Sequence, residues 1–405
     1  MHHLCPPAWR LAPLALTAAL LGSAPAAHAD GNPWALGAQL AVGHDSNVLR
    51  TPAAQAQADT TVSAGVRLNL DQPFGRERLV LSGSLDRNHF QRYSDLDNTS
   101  YGLPSRLDFE AGDRLFGNVA LDASQQAFNF DPSGGSARTA LNQERNTRLA
   151  LRLRQGVVTR LTLEGGAELQ RRSESDPLFD YRALDRNAAD VGVRYQYNPD
   201  LSVGGLLRYA DGRYPSVGND FTRSDLEAFA AWQVSGASNL DLRLTASHVN
   251  NSLSTVRDGS LWSGAVRWRW VPSGKTSLSL RVARDSDTGS NDVNLLGTAL
   301  TFSDARVRTS LDLQGSWLAS AKLRLDGQLS ASRRRLDASL QALSDTSGHD
   351  TTKVARLTLS YQPLRNLETG CSLSREQRTT SGDVGSLSYP YAATVYSCYA
   401  LAWLR

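Results

Sequence analysis

The sequence predicts an all-β fold: a transmembrane antiparallel up-and-down β-barrel of about 18 strands, with 16 as the alternative count. Three observations predict it. Apolar and polar residues alternate with period two from Pro33 to the C-terminus. Short turns alternate with long polar connections. Tryptophans gather beside the short turns. At 40% hydrophobic residues and a mean hydropathy of −0.36 the composition alone would be ordinary, so the distribution carries the argument.

The N-terminus sets the compartment. A weakly basic start ending at Arg10 precedes a short apolar run, "LAPLALTAALL", and small residues follow in "SAPAAHA". Ala27-His28-Ala29 fits the small-x-small rule for signal cleavage, which makes 1–29 a signal peptide and 30–405 the outer-membrane barrel. The run is about 11 residues, too short to span a bilayer. Cys5 precedes it, which opposes a lipid anchor.

The strands follow in order. "RLTLEGGAELQ" places Leu161, Leu163, Ala167 and Leu169 on one face, and Arg160, Thr162, Glu164, Glu168 and Gln170 on the other. "NLDLRLTA", "TSLSLRVAR", "AKLRLDGQLSAS" and "KVARLTLSY" repeat the alternation. Period two with one wet and one apolar face means strand. The charges on the wet face oppose a second sheet stacked there, and so oppose a soluble sandwich.

Eight short turns separate the strands in pairs: "QPFGRE", "AGDR", "RQGV", "NPD", "SGAS", "PSGK", "ASAK" and "PLRN". Long loops such as "TPAAQAQAD", "NFDPSGGSARTA", "SDTGSNDVNLLG" and "QALSDTSGHD" lie between them, rich in turn-forming residues. The short turns are assigned to the periplasm and the long loops to the cell exterior. Trp34, Trp232, Trp268, Trp270, Trp317 and Trp403 lie near a short turn or a terminus, where a periplasmic aromatic girdle belongs. Tyr399, Leu401 and Trp403 read as outward on the last strand. They resemble the C-terminal signal read by the barrel-assembly machinery, although Leu404 and Arg405 follow the last aromatic.

The opposite phase lines the lumen. It holds Arg67, Arg106, Glu110, Arg152, Glu164, Glu168, Arg194, Arg208, Asp241, Arg243, Arg267, Arg281, Arg308, Asp312, Arg324, Asp326, Arg356 and Glu368. Opposite charges at neighbouring heights suit cross-strand pairing at about 0.2–1 kcal/mol each. The only clear inward aromatics are Phe116 and Phe229.

Enzymatic chemistry finds no support. His44, His89, His248 and His349 are scattered, and no serine motif accompanies them. No metal-ligand or phosphate-loop spacing occurs, so neither metal nor cofactor is expected. Asp95 and Asp97 read as solvated loop acids. Basic and acidic residues balance at 43 against 40, which gives no argument for nucleic acid. A disulfide between Cys371 and Cys398 is left open. Their heights on adjacent strands favour it, whereas phase puts Cys371 outward and Cys398 inward, where they could not bridge without a bulge.

The first strand, "WALGAQLAVGHDSN", ends in a polar tetrad, His44-Asp45-Ser46-Asn47. Asp45 and Asn47 share the inward phase at the pore mouth, and an Asx-rich turn also accounts for them. The tetrad and the strand pattern resemble the outer-membrane barrels encoded with exopolysaccharide operons, the EpsL-like group akin to the β-barrel porin 2 family. Those barrels often carry Tyr-Asp-Asp-Asn at this place. The resemblance implies a conduit for a secreted polysaccharide, partnered by a periplasmic polysaccharide-export or copolymerase protein. Residue pattern alone leaves two alternatives open: a general or substrate-specific diffusion porin, and a structural or adhesive barrel. Outer-membrane lipid and lipopolysaccharide are expected partners in every case.

Overall fold

The computed structural model describes residues 32–112, 114–127, 141–156, 159–253, 258–295, 298–340, 344–382 and 388–404. The expected signal peptide, and the whole of the loop expected at 129–140, lie outside these. Eighteen antiparallel strands form one sheet. They are β1 (Trp34–Asp45), β2 (Asp59–Phe74), β3 (Glu77–Phe90), β4 (Asn98–Ala111), β5 (Leu115–Ala127) and β6 (Gln143–Gln155). Next come β7 (Leu161–Glu174), β8 (Leu184–Asn198), β9 (Leu201–Tyr214), β10 (Asn219–Ser235), β11 (Ser238–Asn251) and β12 (Gly259–Ser273). The ring continues through β13 (Thr276–Leu295), β14 (Thr298–Leu318), β15 (Leu323–Leu340), β16 (Ser344–Leu364), β17 (Leu367–Gly382) and β18 (Tyr391–Leu404). Each strand pairs with its neighbours in sequence, and β1 pairs with both β2 and β18. The barrel is therefore closed and has no free edge.

Its exterior is apolar. Leu40, Val191, Leu207 and Leu226 stand 58–67% exposed. On the other phase of the same strands lie Gln39, Asp190, Arg208 and Glu227. A surface of exposed leucines around a polar interior is stable only with lipid outside, which places the barrel in the outer membrane of a Gram-negative bacterium. All eight short connections fall where the sequence puts them. Gly75 and Gly112 turn two of them at φ +66° and +64°, a conformation that favours glycine.

The structure corrects two long loops. Residues 286–295 of "SDTGSNDVNLLG" continue β13, and most of "QALSDTSGHD" belongs to β16. The strands β13–β16 reach 18–21 residues and so project past the bilayer. Outside lipid a strand needs no apolar face, so the alternation that marks strands in sequence fades there.

The phase of β18 is also corrected. Tyr396, Cys398, Ala400, Ala402 and Leu404 face outward, with Leu404 69% exposed; Tyr399, Leu401 and Trp403 face inward. Two glycines make room for the inward rings. Gly37 stands opposite Trp403, and Gly370 stands opposite Tyr399. A Cβ on either glycine would come within 3 Å of that ring. Trp403 therefore leaves the outer girdle. Trp34, Trp232, Trp268, Trp270 and Trp317 remain in it, and Phe74, Tyr195, Tyr197 and Tyr361 join them near the short turns. With Cys398 outward, it meets Cys371 directly across β17–β18, and the two are disulfide-bonded on the lipid-facing side.

Candidate functional site: the lumen wall and its mouth

All 18 lumen residues named from sequence stand on the inner phase of their strands, but they fall into two kinds. From β6 to β9 they interlock. Glu168 accepts from Arg148 at 2.6 Å and pairs with Arg186 at 3.2 Å. Asp190, whose side chain is 4% exposed, bridges Arg152 and Arg208. Arg194 holds Glu164 at 2.7 Å and lies over the Phe229 ring at 4.6 Å. Elsewhere Arg67 pairs with Asp86, Arg243 with Glu227, Arg324 with Asp326, and Arg106 with Asp108. Arg76, from a periplasmic turn, reaches Glu110 at 3.4 Å, and the Tyr399 hydroxyl donates to Glu368 at 2.6 Å. Asp312 meets Arg281 only at 4.0 Å.

The wall from β12 to β16 is different. Arg267, Arg269, Arg308 and Arg356 make no hydrogen bond or ion pair among the described residues, and Asp241 faces Arg267 across the ladder without bonding it. Register orders these arginines by cross-strand row. Arg269 shares a cross-strand row with Arg356 through Ser279, Gln314 and Gln328. Arg267 stands beside Arg281 one inward step higher. After a step of small residues, Ala283 and Ser310, comes the row of Asp285, Arg308 and Arg334, in which Asp285 faces Arg308 without bonding it. Inward steps are about 6.7 Å along a strand, so the guanidiniums climb this wall like rungs.

The mouth is built from the tetrad that closes β1. Asp45 accepts the Asn47 amide at 2.9 Å, an Asx turn. Asn47 does not line the mouth with its side chain open. It is fully buried, and its Nδ2 donates to the carbonyls of Thr51 and, on β18, Ala392. Ser46 extends the β1–β18 ladder by exchanging bonds with Thr394. His44 points outward, beside Tyr396. Arg50, at φ +50°, swings inside to meet Asp45 at 2.7 Å and Glu376 at 3.0 Å. The relay continues along the inner wall. Tyr391 donates to Glu376, Arg378 lies over Tyr391 at 4.9 Å, and Asp350, with no exposed side-chain surface, holds Arg334 and accepts from Ser388. The loop between β1 and β2 is thereby drawn over the inner faces of β1, β17 and β18. Its Val48 and Leu49 pack with Phe90 and Leu96 in a small apolar cluster.

Sequence reasoning missed these pins. Asn142 and Asn219 repeat the role of Asn47: both are almost wholly buried, and both accept backbone amides of the neighbouring loop. It also missed the inward rings of β18. The available signal was a glycine at the register position opposite each ring, which shows only once the strands are paired.

No family model matches this chain, and no curated protein matches it. Solved structures that it resembles include OprD of Pseudomonas aeruginosa, at 11% identity, TM-score 0.43, and coverage of 92% of this chain and 95% of that one. Another is the outer-membrane protein opdK of the same organism, at 13%, 0.45, 92% and 99%. OccAB3 of Acinetobacter baumannii stands at 11%, 0.45, 92% and 98%.

Proposed function

We propose that this chain forms a passive, water-filled pore through the outer membrane that favours small anionic solutes. One observation carries the reading: Arg267, Arg269, Arg308 and Arg356 stand inside the barrel on one wall with no partner among the described residues. Arg152, Arg194 and Arg208 of β6–β9 are each bonded to a carboxylate of the wall. Unbonded guanidiniums leave their charge and donors to whatever passes, and a confined lumen focuses that field. Bidentate donation suits carboxylates and phosphates. Passage takes no covalent step.

The test is reconstitution of the purified barrel in planar bilayers under a salt gradient. Steady conductance with a reversal potential of anion-selective sign supports the reading. The exopolysaccharide conduit implied by the resemblance makes the opposite demand. No conductance from the barrel alone, with secreted polysaccharide lost in a deletion strain, would replace the pore reading with that one.

A further inference from the structure

The outer face of β13–β17 carries cations where a lipid-facing wall should carry none. Arg284, Arg333, Lys353 and Arg375 all lie on the outward phase, and all are exposed. Register brings them together. Arg284 and Arg333 both stand opposite Thr309, one from each side. Arg333 stands opposite Thr351, and Lys353 is the next outward residue on that strand. Strand spacing then puts Arg284 about 10 Å from Arg333, and Lys353 about 8 Å from Arg333. Asp292, Asp337 and Asp345 share the outward register of β13, β15 and β16, but each lies at least four residues from these cations, toward the loop ends of the strands. On β7–β9, by contrast, the outward arginines Arg171 and Arg213 both pair with Asp185.

Height and surroundings identify the ligand. Lys353 lies about eight residues from the girdle residue Tyr361, on the order of 27 Å of strand, or about 20 Å of height at the usual tilt. Arg333, opposite Thr351 and one outward step higher, stands at about 26 Å, the top of an apolar band about 25 Å tall, and Lys353 is within a side chain's length of that level. Directly toward the membrane centre lies an open groove of about 470 Å³, mostly apolar, lined by Leu313, Leu329, Leu357 and Leu373 with Arg375 at its upper end, and floored by Gly315 and Gly327. A cationic cluster above an apolar groove matches an amphiphile with anionic headgroup charge over acyl chains. In the outer leaflet of this membrane that amphiphile is the phosphorylated glycolipid, lipopolysaccharide.

We propose that β13–β17 form a lipopolysaccharide site. Arg284, Arg333 and Lys353 bind the glycolipid phosphates, Arg375 supports them from below, and the glycine-floored groove takes an acyl chain. Guanidinium and ammonium donors to phosphate give strong charge-assisted bonds in a partly dehydrated interface. The site is independent of what the lumen carries.

The test is native mass spectrometry of the full mature barrel, purified in nonionic detergent, with lipid A and with chemically dephosphorylated lipid A as probes. The expected result is one retained lipid A, with at least tenfold weaker retention of the dephosphorylated form and of phosphatidylglycerol. The triple variant R284E/R333E/K353E, folded by heat-modifiable migration, should also lose retention at least tenfold. Retention of all three lipids within twofold of one another overturns the proposal, and that arm needs no variant. Retention by the folded triple variant within twofold of wild type overturns it equally. Should the triple variant fail to fold, Arg333→Gln and Lys353→Gln singly are expected to weaken retention several-fold, and unchanged retention in both counts against the site.

Discussion

The guanidinium of Arg50 joins Glu376 of β17 to Asp45 of β1, reaching past the inner face of β18 at 3.0 and 2.7 Å. It thus latches the first loop across the seam where the barrel closes. Burial alone would lower the Arg50 pKa, but the two carboxylates outweigh it and raise the value above the ordinary arginine range. The cation therefore persists at every accessible pH. Arg50→Ala leaves two carboxylates facing each other without their counter-charge, at a local cost of about 2–4 kcal/mol. Hydrogen exchange over residues 47–57 should quicken by one to three decades while the strand core keeps its protection. Unchanged exchange would mean that Asn47 and the apolar cluster hold the loop without the latch.

A second loop carries a pH dependence. Burial alone would raise the Asp97 carboxyl; the Phe90 amide and the His89 ring, at 2.7 and 2.6 Å, overcome it and hold the carboxyl below its usual range. A depressed folded pKa means that this contribution is fully present above the ordinary value of 3.8 and is lost as pH falls through the depressed one. Loop protection near residues 91–97 should hold from neutral pH to about 4 and fall below that. Asp97→Asn should flatten the acid limb; an unaltered limb would assign it to another group.

Cys371 and Cys398 close a segment with a sequence separation of 27 across neighbouring strands. Chain-entropy reasoning gives such a loop about 3.5 kcal/mol, model-dependent and with an enthalpic share. The double variant C371S/C398S should fold into the same barrel but lose heat-resistant migration at a lower temperature. It also removes a lipid-facing bond beside the closing seam, so refolding into micelles should slow. An unchanged melting profile would show that the ladder alone sets the stability of β17–β18.

Much of this was legible in the sequence because lipid imposes a strict rule: one face of every spanning strand must be apolar. Period two therefore gave the strands, the eight turns and the phase of every named lumen residue. Where the rule lapses, legibility lapsed. The projecting end of β13 and the projecting start of β16 read as loop. On β18 the aromatic residues Tyr399 and Trp403 outweigh Cys398, Ala400 and Ala402 in apolar character, so the phase read backwards. Only the pairing with Gly37 and Gly370 reveals the inward pockets that receive those rings. Asn47 looked like a mouth residue because phase was assigned without its loop, whose folding over it depends on partners on β17 and β18, far away in sequence.

Some lumen arginines hold the wall and others face the solute. Arg152→Gln removes a partner from Asp190, which keeps only Arg208, at 3.6 Å. An under-paired carboxylate with 4% exposure should cost about 1–3 kcal/mol of stability and leave ion selectivity nearly unchanged. The quadruple change of Arg267, Arg269, Arg308 and Arg356 to Gln removes no bond among the described residues, so folding and heat resistance should match wild type. Its effect should fall on permeation instead: reversal potential under a salt gradient should drop by at least half, and conductance should lose its preference for small carboxylates. Single changes should each give a fraction of that effect, because the rungs act in series along one wall. If Arg152→Gln shifts selectivity as much as the quadruple variant does, bonded and unbonded arginines contribute alike and the ladder has no special role.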